Sequence, residues 1–157
     1  MAIFYLSESS IYDYQKKIKY LNESQNIKEI PITASIEQIL SVSELNNYQN
    51  QLFKKYHKNI FNDMINYIYD YYHRDYISVE DKSLITKDNI KKNWVIRTIT
   101  LQYDDSNKNE FGISISSDWN KKFLNTEYKK IHDDHILSVC AMFRDNKYIG
   151  SDLMFDG

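Results

Sequence analysis

Between Ser41 and Tyr72 apolar side chains return at the spacing of one helical face: Leu45, Leu52, Tyr56, Ile60, Met64, Ile68 and Tyr72. Phe53, Phe61 and Ile65 widen the stripe. A stripe that broad suits a helix lying on a sheet better than a narrow seam between two helices. Ser41 with Glu44 three residues later reads as a capping box, so the pattern predicts one helix from about Val42 to Tyr72. At ~1.5 Å per residue it would be roughly 45 Å long, comparable with the width of a small domain. Everything else in the chain has to be arranged around that spine.

The segments on either side carry the two-residue period of strands. Tyr12 to Leu21 fits two patterns: Ile11, Tyr14, Ile18 and Leu21 make a helical stripe, while Tyr12, Tyr14, Ile18 and Tyr20 alternate with polar residues. The strand is the preferred reading. Ile27 to Thr33 is a second short strand, and Pro31 places it at a sheet edge or near its own end. Tyr76 to Asn93 is a polar connector with a helical turn near Thr86 to Ile90. Trp94 to Tyr103, the turn cluster Asp104 to Asn109, and Phe111, Ile113 and Ile115 alternating with Gly112, Ser114 and Ser116 make a hairpin. Ile136 to Phe143 is apolar enough for a strand buried on both faces. Arg144 to Lys147 is the next turn, and Tyr148-Ile149 a short final strand. The order β-β, long α, β-β-β implies a single α+β domain over residues 1–157, a largely antiparallel sheet against one helix.

Composition narrows the function without naming it. In 157 residues, 20 Lys and Arg stand against 22 Asp and Glu, a balance that argues against general nucleic-acid binding, which needs clustered excess cations. No stretch has the ~18 to 20 apolar residues of a membrane span, and MAIFYLSESS lacks a basic leader. The expectation is a cytoplasmic, unanchored protein. The 14 tyrosines accompany many Ile, Lys and Asn residues, all with AT-rich codons, so they are read as packing residues and not as a base-stacking platform.

Residues with chemical potential are few. Cys140 stands alone inside an apolar run, where burial makes a thiol inert. Three glycines leave no room for a phosphate-binding loop. His132-Asp133-Asp134-His135 could ligate a metal, yet zinc motifs draw ligands from two separated segments, and a solvated loop explains the same residues. No metal, cofactor or catalytic residue is therefore expected. Trp94 and Trp119 flank the hairpin, and each fits either the core or a recognition anchor. Asp104, Asp105, Glu110, Asp133 and Asp134 fall in loops at strand ends, within reach of a partner. With Trp119 they are the candidate partner-binding residues.

Three stretches carry a family resemblance. One runs Ile-x-x-Ile-Leu-Ser-Val-Ser-Glu-Leu-Asn-Asn-Tyr-Gln-Asn-Gln-Leu-Phe from Ile36, and the second is Ile-Tyr-Asp-Tyr-Tyr from Ile68. The third is the succession Asp118-Trp119, Asp134-His135, the apolar run Ile136 to Phe143, and the charged turn Arg144 to Lys147. Together, over about Tyr12 to Gly150, they resemble a family of small bacterial proteins of unknown function. That family is similar to the immunity proteins of polymorphic-toxin and contact-dependent growth inhibition systems. The resemblance implies a non-enzymatic toxin inhibitor whose partner is one cognate toxin C-terminal domain, such as a nuclease. The competing expectations are a non-catalytic interaction module of a mobile element, or a small hydrolase with a site near His132 and His135.

Overall fold

The computed structural model describes residues 29–74, 83, 85–123 and 137–155. The Tyr12 to Leu21 segment, His132 to His135, and thus Asp133 and Asp134, lie outside them. Within the described residues the order is β1 (Ile30–Pro31), α1 (Ile36–Leu40), α2 (Asn47–Arg74), α3 (Lys87–Asn93), β2 (Trp94–Asp105), β3 (Glu110–Trp119), β4 (Leu137–Arg144) and β5 (Lys147–Phe155). A short 3-10 turn, Ser106–Lys108, joins β2 to β3. The fold is α+β, with an antiparallel five-stranded sheet in sequence order and one long helix.

That helix begins later than its periodicity suggests. Ser41 caps the end of α1, whose start carries its own capping box between Ser35 and Gln38. Residues 42–44 are then pulled straight against β2: Ile99 donates its N–H to the Val42 carbonyl at 3.3 Å, and Glu44 N–H donates to the Ile99 carbonyl at 2.9 Å. The chain enters α2 through Asn46, whose side chain accepts from Gln49 N–H at 2.8 Å while Gln49 Oε1 accepts from Asn46 N–H at 3.1 Å. This is the reciprocal arrangement that Ser41 and Glu44 promised, shifted by five residues. Two cap patterns lay within nine residues, and pairing to β2 decided between them.

From there the stripe behaves as its spacing dictates. Leu52, Phe53, Ile60, Phe61, Met64, Ile65, Ile68, Tyr71 and Tyr72 are buried, and Tyr56 lies half-buried with its ring edge-on to Phe143. They meet the sheet face made by Ile96, Ile99, Ile113, Ile115, Leu137, Val139, Ala141 and Phe143. Each buried aliphatic side chain of this kind contributes about 1.5 to 3 kcal/mol.

Pro31 sits in β1, which among the described residues is an edge strand paired only to β2, where its missing N–H costs no ladder bond. The turn expected near Thr86 is α3, with Thr86 Oγ1 accepting from Asn89 N–H at 3.0 Å. β5 is far longer than Tyr148-Ile149: a bulge opposite Met142 and Phe143, with Gly150 at φ 137°, interrupts the alternation and the strand continues past it to Phe155. The other face of β3 is polar by sequence yet mostly closed to water. Ser114, Asp118 and the facing Ser138 and Cys140 are buried, and Asp118 pairs with Arg97 at 3.7 Å, each side chain 4% exposed.

Candidate functional site

At one end of the sheet the two hairpin turns are bonded to each other. The β2–β3 turn ends on Asn109 and the β4–β5 turn consists of Asp145 and Asn146, all three in left-handed backbone at φ 50°, 52° and 65°. Asn and Asp tolerate that region better than other side chains, and paired left-handed residues match the twist of a two-residue hairpin. Asp145 N–H donates to the Asn109 carbonyl at 3.0 Å, and Asn109 Nδ2 donates to Asp145 Oδ1 at 3.0 Å. Tyr48, in the first turn of α2, donates its hydroxyl to Asn146 Oδ1 and lays its ring 6.2 Å from that of Phe111. Helix and both turns thus form one connected tip, from which Tyr48 projects 51% exposed.

The acidic residues predicted here turn out to have different duties. Glu110 is 13% exposed at its side chain and is held by Arg144, whose Nη2 lies 2.6 Å and Nε 2.9 Å from Oε2. Its other oxygen accepts from the Tyr103 hydroxyl at 2.8 Å. The bonds from Arg144 and Tyr103 hold its carboxyl below the ordinary range, while burial and the bond to Glu110 push the Tyr103 phenol up to about 12. Asp105 Oδ1 accepts from Asn107 N–H at 3.1 Å, capping the 3-10 turn. Asp104 alone of the three is exposed, and its side chain has no hydrogen bond or ion pair among the described residues. With Arg144 and Lys108 in the same pair of hairpins, the tip is a mixed-charge surface and not an acidic one.

Gly112 is what lets Tyr103 reach Glu110. The phenol ring lies flat on the strand there: a Cβ at position 112 would come within 2.3 Å of Tyr103 Cε1 and 2.8 Å of Cys140 Sγ.

Trp119 belongs elsewhere. It is 0% exposed, pairs across the ladder with Trp94 at the opposite end of β3, stacks on Phe123 at 4.2 Å, and donates Nε1–H to the Tyr72 hydroxyl at 3.0 Å. Of its two sequence readings it takes the core one, and it offers a partner no surface.

One further polar chain invites a catalytic reading. The Tyr148 hydroxyl donates to Asp63 Oδ2 at 2.6 Å and contacts Ser151 Oγ. Burial, then the bond to Asp63, raises the Tyr148 pKa, so the phenol keeps its proton and cannot serve Ser151 as a base near neutrality. Its role is to pin β5 to α2. Burial likewise raises the Cys140 thiol and disfavours the nucleophilic thiolate.

Two exposed residues near the tip escape a sequence reading. Tyr48 stands four residues before Leu52 on the helix, yet it is 51% exposed, with its ring beside Phe111 and its hydroxyl on Asn146. Leu101 continues the apolar alternation of β2 yet is 42% exposed, because among the described residues it lies past the last element paired to that strand's outer edge. No family model, curated protein or solved structure matches the chain.

Proposed function

We propose that this protein is a binding protein that docks a partner protein on the joined hairpin tip and the adjoining edge of β2, and that the partner is a bacterial toxin domain that it neutralises. The observation that carries the reading is the set of bonds joining Asn109, Asp145, Asn146 and Tyr48 across two turns and a helix. A surface held in its bound shape before the partner arrives loses little conformational freedom on association. A half-exposed tyrosine on a rigid base has the character of an interface anchor. Beside the mixed-charge tip, the exposed carboxylates of Asp104 and Glu44 along the β2 edge favour basic residues of a partner at that edge, such as many nuclease domains carry.

An inhibitor of this kind needs nanomolar affinity, because one escaped enzyme molecule acts repeatedly while one inhibitor can only occupy. The test is co-expression with the variable C-terminal domain of a secreted toxin encoded beside the gene. Growth rescue and a one-to-one complex on gel filtration are expected. A cell that dies at the same toxin dose with and without this protein rejects the toxin as its partner.

A further inference from the structure

We infer that the outer edge of β2 receives an extended segment of the partner as an added strand, one in which basic residues flank an apolar residue. This rests on the partner-binding reading above and names what the partner brings to the site.

On the side away from β3, β2 runs past everything laid beside it among the described residues. There β1 pairs with Val95 and Ile96, Ile32 N–H donates to the Trp94 carbonyl, and the incoming chain bonds at Ile99, through Val42 and Glu44. From Thr100 to Asp105 no strand or loop covers the outer edge among the described residues. An antiparallel ladder turns alternate residues outward. Because both backbone groups of Ile99 point outward to Val42 and Glu44, those of Leu101 point outward too. Gln102 is the extra residue of a bulge between Leu101 and Tyr103, so the next outward position is Asp104, across the ladder from Phe111. The edge therefore offers main-chain donors and acceptors at Leu101 and Asp104, with the exposed Leu101 side chain beside them.

Charge selects the occupant. Glu44 stands exposed where the covered part of the edge ends, and Asp104 stands exposed near the far end of the strand. A second copy of this chain pairing by the same edge would bring these carboxylates against their own kind, which disfavours self-association. Leu101 and Asp104 share a face, since their cross-strand partners Ile113 and Phe111 do, so a strand carrying Lys or Arg two residues to either side of an apolar residue would meet the carboxylates and cover Leu101 on one face. Main-chain bonds would supply affinity and the alternate side chains specificity, as in strand addition generally.

The test uses a defined probe and no toxin. A disulfide-closed hairpin peptide whose outer strand reads Lys-Thr-Val-Thr-Lys, with both Lys and the Val on one face, is added to the isotopically labelled protein, and amide hydrogen exchange is followed residue by residue. In the free protein the Leu101 and Asp104 amides should exchange at least about tenfold faster than Thr100, whose N–H faces β3. The Lys hairpin should slow them by about tenfold or more, its Glu counterpart should not, and a Glu44→Lys/Asp104→Lys variant should reverse the preference. Slow exchange in the free protein, no protection by the Lys hairpin, or equal protection by both hairpins would overturn the inference. A protected edge with no growth rescue keeps strand addition and rejects the toxin; rescue with an unprotected edge does the reverse.

Discussion

Trp119 gives its indole N–H to the Tyr72 hydroxyl across 3.0 Å, with both side chains buried, and this bond ties the end of β3 to the last turns of α2. Trp94 packs edge-on to Trp119 at 5.0 Å, and Tyr72 lies 5.8 Å from it. Tyr72→Phe keeps the ring and strands the indole N–H, which should cost about 1 to 3 kcal/mol. Trp119→Ala removes the whole cluster's centre and should cost about 3 to 5 kcal/mol. Urea midpoints of the two variants measure both, and a Tyr72→Phe midpoint equal to wild type would mean that water replaces the hydroxyl.

Ile60 is completely buried in the middle of α2. Its truncation to Ala should cost about 2 to 5 kcal/mol, the range for an apolar side chain whose cavity only partly collapses. A denaturation midpoint within error of wild type would show that the neighbours close the gap.

The Glu110 cluster makes stability depend on pH at both ends. The folded carboxyl titrates below its ordinary range because Arg144 and Tyr103 bond it, so its contribution is present at neutral pH and lost as pH falls through that lowered value. Glu110→Gln should therefore be less stable than wild type near pH 7 and indistinguishable from it in strong acid. Tyr103 has the opposite sign: its contribution is complete below the ordinary 10.0 and lost as pH rises through about 12. Tyr103→Phe should remove that alkaline loss. Melting curves from acid to alkaline pH test both, and parallel curves for all three proteins would contradict the assignment.

Cys140 is buried between strands, with its thiol shifted upward chiefly by burial. A thiol reagent at neutral pH should label it only as fast as the protein opens, with the rate rising in parallel with unfolding by urea. Immediate labelling of the native protein would place the thiol at the surface.

How much of this was legible in the sequence follows from which interactions are local. The α2 stripe, the β2–β3 hairpin and the doubly buried β4 were legible from apolar patterning, and the place of β1 at the edge of the described sheet from the N–H that Pro31 lacks. The helix start was not legible, since Ser41/Glu44 and Asn46/Gln49 are equivalent cap patterns and only the bonds from residues 42–44 to Ile99 distinguish them. Of the predicted partner residues, Asp104 is exposed as expected. Glu110 and Asp105 are occupied by Arg144 and the 3-10 turn, pairings set by ladder register and turn geometry that no spacing reveals. Trp119 lies in the core because its strand ends beside Tyr72, a contact across 47 residues. Leu101 falls within a strand of apolar alternation, and its exposure depends on what pairs beside that strand, which no period reveals.

The proposal that this surface docks a toxin is tested most directly by calorimetric titration of the purified toxin domain into wild-type protein and into Asp104→Lys. Docking at the tip and β2 edge predicts one-to-one nanomolar binding to the wild type. The variant should bind about tenfold or more weakly, with a flatter salt dependence and an unchanged melting temperature, because an exposed charge without a partner contributes little to folding. Equal affinity for both proteins, or no heat of binding with either, would contradict it.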